Sequence, residues 1–428
     1  MQQACRGAVT IRAYACNIPV AVGHAMKVLM ISDVYFPRVN GVSTSIQTFR
    51  RELAALGHEV DLVAPAYPAR YPDDGRTLRV PSRFIPLDPE DRMMKPREVR
   101  ALLPQLRSAH YDLVHIQTPF VAHHLGIEIA DALDVARIET YHTFFEEYLF
   151  HYVPVLPKSV VRALSRSISR RQCNRMSGLI VPSTAMRDKL AEYGVRIPMY
   201  VIPTGIPMAE FAAGNGDLFR IQHDIEKNRP MLLYVGRVAH EKNIEFLLRV
   251  LERALAHVPD LLLTIAGEGP ALASLKKLAT KLSLQNHMLF VGYLDRRTAL
   301  LDCYRAATAF VFASRTETQG LVLLEAMALG VPVISTAVMG TRDIVGARRG
   351  ALVPKDEEAD FARNIVKLLN DPALRARLSA EGRAYAAEWN AGALAVRLAA
   401  TYQEVTEGRA LSKGASGAHA QHASVAMR

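Results

Sequence analysis

Cysteine is scarce in this chain of 428 residues and follows no ligand pattern. The four cysteines, Cys5, Cys16, Cys173 and Cys303, lack both the short spacing of zinc ligands and the density of a disulfide framework. We therefore expect a reducing compartment. Long apolar runs are also missing, because no stretch reaches the length that a transmembrane helix requires.

Several short functional motifs are absent as well. The G-x-G-x-x-G fingerprint of dinucleotide-binding proteins does not follow the first predicted strand, and no nucleic-acid recognition motif appears. No Asp-x-Asp pair marks a metal site. Residues 1–25 have neither a clean hydrophobic segment nor a cleavage site of a signal peptide, so we expect a weakly structured extension there.

The remaining composition is that of a soluble globular protein, with 50% hydrophobic and 22% charged residues. A chain of this length predicts two domains rather than one. Its net charge of +10, from 52 basic and 42 acidic residues, favours an anionic partner. A nucleotide, a nucleic acid and an acidic membrane all meet that description.

Both halves of the chain show strands that alternate with helices. Lys27–Ser32 reads as a buried parallel strand, Ser43–Leu56 as an amphipathic helix and Glu59–Ala64 as the next strand. In the second half, Met231–Val235 is a strand and Ile244–Ala256 a helix. We therefore predict an α/β protein with two doubly wound sheets, which bind ligands at the carboxyl ends of their strands.

The stretch from residue 314 to residue 340 is the most informative part of the sequence. A polar loop leads from a strand into an apolar helix, Leu321–Leu329, which contains a single acid, Glu325. Gly320 and Leu321 open this helix, so its unpaired N–H groups and positive dipole end face the loop that carries Glu317. Phosphate oxygens suit such a helix start, and carboxylates suit ribose and sugar hydroxyls.

Either acid alone is more easily explained without a ligand. Glu317 could be an ordinary loop carboxylate, and Glu325 could be a buried acid with a protein partner. Their position on both sides of a helix start, directly after a strand, favours a site for a sugar linked to a diphosphate.

The seven-residue gap between Glu317 and Glu325 resembles that of the family 4 glycosyltransferases, and the other motifs agree in order from Lys27 to Glu407. These are retaining enzymes of the GT-B architecture. The resemblance implies two Rossmann-like domains that face each other across a cleft. It also implies an enzyme that transfers a hexose from a nucleotide sugar.

The resemblance extends to residues that would be ambiguous alone. Arg237 and Lys242 follow a strand and would neutralise the departing diphosphate. His142 ends another strand and would lie beside the transferred sugar, although a lone histidine is usually structural. Gly41, otherwise a turn residue, lies in a loop that would face the donor phosphates. The implied catalytic set is His142, Glu317, Arg237 and Lys242, and the implied donor-binding set is Gly41, Gly236, Gly320, Leu321 and Glu325.

A basic segment precedes the middle of the chain. Residues 158–175 contain six basic and no acidic residues, and we predict an amphipathic helix there. With the aromatic residues just before it, such a helix suits an anionic membrane and its lipid acceptor. A solvated basic face is an equally good interpretation, and nucleic acid is a weaker one. On the membrane interpretation, the residues that contact the membrane or the acceptor are Lys158, Arg162, Arg166, Arg170 and Arg171.

Three details are similar to the branch of the family that glucosylates diacylglycerol. They are Thr204, where most members have asparagine, the run Glu-Thr-Gln-Gly at 317–320, and the run at 140–148. This similarity implies UDP-glucose as the donor, diacylglycerol as the acceptor and a cytoplasmic enzyme peripheral to the inner face of the membrane. No cofactor is expected, and no metal, because Arg237 and Lys242 can take a metal's place.

Other functions remain open at this point. A mannosyltransferase could use GDP-mannose with phosphatidylinositol or a soluble sugar, and a phosphorylase would need a pyridoxal lysine that we cannot assign. A non-catalytic two-domain binding protein is the alternative of another class. The expected division is an extension (1–25), an N-terminal acceptor-side domain (26–207), a linker (208–230), a C-terminal donor domain (231–388), a cross-over helix (389–407) and a disordered tail (408–428).

Overall fold

The computed structural model describes residues 24–69, 71–85, 88–142 and 158–425, without side chains at 85, 88–91, 158 and 412–425. Most of the predicted extension 1–25 and the aromatic run after His142 lie outside these residues. The described chain divides into two compact units: Gly205–Asn390 forms the C-terminal unit, and the described residues from 24 to Thr204 form the N-terminal unit together with the last segment from Ala391.

The N-terminal unit is built on a seven-stranded parallel sheet of order β3-β2-β1-β6-β7-β8-β9. Its strands are β1 (Lys27–Ile31), β2 (Glu59–Pro65), β3 (Thr77–Val80), β6 (Leu113–Ile116), β7 (Ala136–Thr140), β8 (Gly178–Val181) and β9 (Met199–Val201). Its α-helices among the described residues up to Thr204 are α1 (Gly41–Ala55), α2 (Pro96–Ala101), α3 (Leu103–Ser108), α4 (Val121–Leu133), α5 (Lys158–Cys173) and α6 (Thr184–Glu192). An antiparallel pair, β4 (Ser82–Ile85) with β5 (Asp88–Met94), forms a separate two-stranded sheet.

The C-terminal unit has a six-stranded parallel sheet of order β12-β11-β10-β13-β14-β15. Its strands are β10 (Met231–Val235), β11 (Leu262–Ala266), β12 (Met288–Gly292), β13 (Ala309–Phe312), β14 (Val333–Ser335) and β15 (Ala351–Leu352). Its α-helices are α7 (Gly216–Gln222), α8 (Ile244–Leu255), α9 (Leu272–Lys281), α10 (Ala299–Ala306), α11 (Leu321–Ala328), α12 (Thr341–Val345), α13 (Glu358–Asn370) and α14 (Pro372–Glu388).

The strands are buried because their sequences are apolar on both faces. All residues of β6, β8, β10, β11 and β13 are buried, as expected for parallel strands covered by helices on each side. Three apolar clusters result: one in the C-terminal unit and one on each face of the N-terminal sheet.

Residues 208–230, expected as a linker, are instead a structured part of the C-terminal unit. They contain a 3-10 helix, Met208–Phe211, and α7, which packs on α10. Phe219 on α7 is buried in the unit's core. Gly214 and Gly216 made a linker plausible in the sequence. In the fold they allow close contact with the backbone of α10 near Arg305.

The last helix, α15 (Ala391–Val425), returns to the N-terminal unit. Its apolar residues Leu394, Leu398, Tyr402 and Val405 enter the cluster that also contains Ile46 and Phe49 of α1. The predicted cross-over segment 389–407 falls at the start of this helix. The predicted tail 408–428 overlaps its end, where side chains are described as far as Leu411.

Candidate functional site

In the C-terminal unit, two neighbouring strands end in loops that carry opposite charges. β10 and β13 are paired in parallel, so the loops after them lie at the same edge of the sheet. Lys242, from the loop after β10, donates from Nζ to Oε1 of Glu317 in the loop after β13, at 2.5 Å. The structure therefore brings together two residues that lie 75 positions apart in the chain and that we expected to share one site.

Partly buried hydrogen bonds hold both loops in place. The hydroxyl of Tyr234 on β10 donates to the carbonyl oxygen of Arg237 at 3.1 Å, and Asn243 Nδ2 donates to the carbonyl oxygen of Ala313 at 3.1 Å. Gly236 has φ 150°, a backbone conformation that residues with a Cβ rarely adopt. Arg237 is thus carried by a loop that is tied at both ends.

The start of α11 has the geometry of an anion-binding helix end. Gly320 is its N-cap residue with φ 92°, and no side chain caps the helix. Leu321 is the first helical residue and is half-buried. The loop before it rests on Gly340, because a Cβ at that position would lie 2.0 Å from the carbonyl oxygen of Thr318. The amide of Gly340 also donates to the carbonyl oxygen of Glu317 at 2.9 Å.

Glu325 has protein partners that the sequence analysis missed. Its side chain is 1% exposed, forms an ion pair with Arg296 and accepts a hydrogen bond from the hydroxyl of Tyr304 at 3.0 Å. The negative charge of Glu325 raises the pKa of Arg296, and burial raises the pKa of Tyr304. Arg296 follows the end of β12, at the same edge of the sheet, and this position in the sequence could have indicated it as a partner of Glu325.

In the N-terminal unit, Gly41 is the first residue of α1. The side chain of Asn40, the N-cap residue, accepts a hydrogen bond from the amide of Ser43 at 2.8 Å, which explains why the helix begins two residues earlier than predicted. A Cβ at Gly41 would meet no atom within 4 Å. The protein itself therefore does not require glycine here, and the space beside it is open to a ligand.

His142 lies two residues after β7, at the carboxyl edge of the N-terminal sheet. Its Nε2 is 3.1 Å from Oε1 of Gln117, which follows the neighbouring strand β6. Burial lowers the pKa of His142 to about 4, so its imidazole is neutral at physiological pH. Gln117 is buried as well, and its Nε2 has no hydrogen-bond partner among the described residues. Gln117 was not among the site residues predicted from the sequence.

Asp33 is a second residue of this edge that the sequence analysis left without a role. Its carboxylate accepts hydrogen bonds from the hydroxyl of Thr118 at 2.8 Å and from the amide of Ala122 at 3.0 Å. It thus caps α4, whose own N-cap residue, Phe120, offers no side-chain acceptor. Burial raises the pKa of Asp33 to about 6.

The basic helix α5 buries a different face from the one its apolar residues indicated. Its buried stripe is Val161, Ser165, Ser169 and Cys173, which repeat every four residues. Val160 and Leu164 are consequently 48% and 46% exposed. The small side chains of the buried stripe fit against the unit, and the larger apolar ones are left facing outward.

The basic residues of α5 lie with these exposed apolar residues on the outer surface. Arg162, Arg166, Arg170 and Arg171 are all exposed, and Arg166 also lies over the ring of Tyr193. The side chain of Lys158 lies outside the described residues. Beside the helix is a cavity of about 720 Å³ whose lining includes Phe120, Ile168, Arg171 and Arg175. The surface thus combines exposed hydrocarbon with positive charge.

The described residues contain neither a metal-binding cluster nor a membrane-spanning helix. No group of three or more histidine, cysteine, aspartate or glutamate side chains there could hold a metal ion. None of the helices in that part of the chain has both the length and the hydrophobicity to cross a bilayer. Cys173 and Cys303, the two cysteines in the described ranges, are buried free thiols.

Comparison with known proteins defines the class. Residues 39–210 match the profile described as Glycosyltransferase Family 4, and residues 216–385 match Glycosyl transferases group 1. The chain is 36% identical to the alpha-monoglucosyldiacylglycerol synthase of Streptococcus pneumoniae over 72% of its own length and 71% of that protein. It is 30% identical to a GDP-mannose-dependent alpha-mannosyltransferase of Mycolicibacterium smegmatis, over 77% and 85% of the two chains.

The fold agrees with this assignment. The structure superposes on sucrose-phosphate synthase from Thermosynechococcus elongatus with a TM-score of 0.72 at 22% identity, over 90% of this chain and all of that one. Two Rossmann-like units with parallel sheets are the GT-B class, and the predicted fold class is confirmed. The chain belongs to the family 4 glycosyltransferases, and among its relatives are the alpha-monoglucosyldiacylglycerol synthases.

Proposed function

We propose that this glycosyltransferase moves glucose from UDP-glucose to a diacylglycerol in a membrane and retains the configuration of the sugar. The observation that carries the proposal is the contact between Lys242 and Glu317 beside the uncapped start of α11. A cation, a carboxylate and backbone amides at one sheet edge match a sugar diphosphate. The name of the pneumococcal relative, at 36% identity, supports glucose and diacylglycerol as the substrates.

Each residue of the donor site has a distinct part in this proposal. Arg237 and Lys242 bind the diphosphate and offset the charge that grows on it as the glycosidic bond breaks. The amides at Gly320 and Leu321 add hydrogen bonds to the phosphate oxygens. Glu317 binds hydroxyls of the transferred sugar. Glu325 can accept from the ribose with the carboxylate lone pairs that Arg296 and Tyr304 leave unused.

The reaction exchanges one bond at the anomeric carbon for another. The bond to the diphosphate oxygen breaks through an oxocarbenium-like state, and the acceptor hydroxyl attacks from the same face. The proton of that hydroxyl passes to the departing diphosphate. For the N-terminal unit we assign Gly41 to the donor phosphates and neutral His142 to the transferred sugar, the roles that the family resemblance implies. The two cations supply the positive charge, so no metal or other cofactor takes part.

The acceptor side of the proposal rests on α5. Exposed Val160 and Leu164 beside Arg162, Arg166, Arg170 and Arg171 suit the surface of an anionic membrane. Lys158 belongs to the same basic surface in sequence. The enzyme would then act as a cytoplasmic protein that binds the inner face of the membrane peripherally. A solvated basic face without membrane contact is the competing interpretation.

A panel of donors and acceptors tests the proposal directly. The purified protein is incubated with UDP-glucose or GDP-mannose and with vesicles that contain diacylglycerol or phosphatidylinositol, and the lipids are analysed by mass. We expect one hexose on diacylglycerol from UDP-glucose. A product from GDP-mannose would favour the mannosyltransferase alternative, which the mycobacterial relative supports. Binding of a donor without any product would favour a non-catalytic role.

A further inference from the structure

The end of β7 is unusually rich in buried polar contacts. Its last two residues, Glu139 and Thr140, point to opposite faces of the sheet, and each meets a buried histidine. On one face, His123 Nδ1 of α4 lies 3.0 Å from Oε2 of Glu139. On the other face, His115 Nε2 of β6 lies 2.7 Å from Oγ1 of Thr140. All four side chains are at most 7% exposed.

The contacts continue beyond the strand in both directions. The hydroxyl of Tyr141 lies 2.9 Å from Oγ of Ser169 on α5, and His142 follows with its contact to Gln117. On the far side of His115, Nδ1 lies 2.6 Å from the hydroxyl of Tyr402 on α15. Every residue from 139 to 142 is therefore fixed through its side chain.

We propose that these contacts form a clamp that positions His142 for glycosyl transfer, with the chain Tyr402–His115–Thr140 as its central part. The β7 clamp consists of Glu139, Thr140, Tyr141, His115, His123, Ser169 and Tyr402. None of its members touches substrate in this proposal, so they are positioning residues. The inference rests on the proposed role of His142 in the function above.

The location of the polar residues supports this assignment. The neighbouring buried positions of the same strands, such as Leu113, Ile116 and Ile138, are apolar, as a parallel sheet core requires. Buried polar groups destabilise the fold unless each is hydrogen-bonded. Apolar side chains would fill the same space without the cost of an unpaired polar group. Here the polar set is concentrated at the strand ends that lead to His142. Hydrogen bonds have directional preferences that apolar contacts lack, so they fix an orientation.

The protonation state of the central histidine fits a fixed chain. Burial lowers the pKa of His115 to about 3, and burial raises the pKa of Tyr402 well above its usual value. Both groups are therefore neutral at physiological pH. A neutral imidazole has one donor and one acceptor nitrogen, which matches two hydroxyl neighbours. The central chain Tyr402–His115–Thr140 therefore carries no charge of its own.

Replacement of the hydroxyl of Thr140 is the cleanest test. Thr140→Val keeps the shape and removes the hydrogen bond, whereas Thr140→Ser keeps the hydroxyl. With UDP-glucose and diacylglycerol vesicles, or whichever pair the panel shows to be active, we expect Thr140→Val to lower kcat about tenfold with little change in the donor KM. Thr140→Ser should stay within about twofold of the wild type, because it restores the contact.

A double-variant cycle separates positioning from stability. The effect of Thr140→Val on kcat should disappear in a His142→Ala background, since there is no imidazole left to position. Tyr200→Phe is the matched control, because this tyrosine bonds Glu404 of α15 at the surface of the same unit. It should leave kcat unchanged.

The outcomes distinguish the clamp from the proposed function. If His142→Ala turns over like the wild type, the site assignment is wrong. If His142→Ala is impaired but the effect of Thr140→Val persists in full in that background, or Thr140→Ser is as impaired as Thr140→Val, the clamp is wrong. A readout independent of activity is the imidazole ¹⁵N signal of His142, which should shift in Thr140→Val and Tyr402→Phe but not in Tyr200→Phe.

Discussion

In the C-terminal unit the candidate site is built from ion pairs, whereas in the N-terminal unit His142 and the hydrogen-bonded chain Tyr402–His115–Thr140 beside it are neutral. Lys242 with Glu317 and Arg296 with Glu325 are ion pairs at the ends of β10, β12 and β13 and on α11. At the ends of β6 and β7, His115, Thr140 and His142 form hydrogen bonds without a net charge. Both sheets are parallel and both sites use strand carboxyl ends, so the fold does not dictate this difference.

The contrast follows from the two kinds of ligand proposed. A nucleoside diphosphate brings negative charge, and its departure adds more, so the unit that holds it needs cations and a means to anchor them. A sugar and a lipid hydroxyl are neutral, and their alignment depends on geometry. Ion pairs therefore suit the donor unit, and directional neutral contacts suit the acceptor unit.

The largest expected effect comes from removal of a charge in the donor site. Glu317→Ala should lower kcat by about 10³-fold or more, while binding of free UDP is retained. Arg237→Ala combined with Lys242→Ala should instead weaken free UDP binding by about 10²-fold or more, since charge-assisted contacts contribute about 1.5–3 kcal/mol each. Steady-state kinetics and calorimetry measure the two effects. Wild-type turnover in Glu317→Ala would refute the assigned role.

The next effect concerns stability rather than transfer. Arg296→Ala leaves the carboxylate of Glu325 buried with Tyr304 as its remaining described partner, and we expect about 3 kcal/mol of destabilisation. Arg315→Ala is the control, because its pair with Asp356 is at the surface and should be worth less than about 1 kcal/mol. Urea denaturation followed by fluorescence compares the two variants. Equal effects would mean that Glu325 is not dependent on Arg296.

The smallest effect is a pH dependence that arises in the neutral site. The folded chain keeps His115 unprotonated down to about pH 3, whereas the unfolded chain protonates it near pH 6.5. Between these values the unfolded state binds more protons, so stability falls as the pH falls. His115→Asn should reduce this slope by at most about 1.4 kcal/mol per pH unit between pH 6 and pH 4.

The comparison of slopes isolates the histidine from its neighbours. Asp33, with its pKa raised to about 6, contributes with the opposite sign, but it is present in both proteins and cancels in the difference. Urea midpoints at pH 7, 6, 5 and 4 give the slopes. An unchanged slope in His115→Asn would show that His115 titrates normally in the folded chain.

Much of the fold could be predicted because parallel strands have an unmistakable composition. The strand Met231–Val235 was predicted with the bounds that the structure shows, and the helix after Gly320 was predicted to within a residue of its end. The hairpin β4–β5 and the short helices α2 and α3 were missed. Their residues are mixed in polarity, and their apolar residues follow neither the period of a helix nor that of a strand.

Side-chain partners were harder to predict than elements. Glu325 was recognised as an acid that needs a partner, but nothing in its own helix indicates Arg296 in a loop 29 residues earlier. On α5, the exposed Val160 and Leu164 look like core residues in sequence, and the buried Ser165 and Ser169 look like surface residues. In each case tertiary packing, which the local sequence does not show, decides which residues are buried and which side chains pair.

The return of α15 to the first unit has a consequence during synthesis of the protein. Residues 394–405 complete the hydrophobic cluster against α1, and they leave the ribosome after the whole second unit has been made. Part of the hydrophobic core of the N-terminal unit therefore stays uncovered until residues 394–405 have been synthesised. A fragment that ends at residue 204 lacks α15, so the apolar residues that this helix covers are exposed to water. We expect such a fragment to need chaperones or an added carboxyl-terminal peptide to stay in solution.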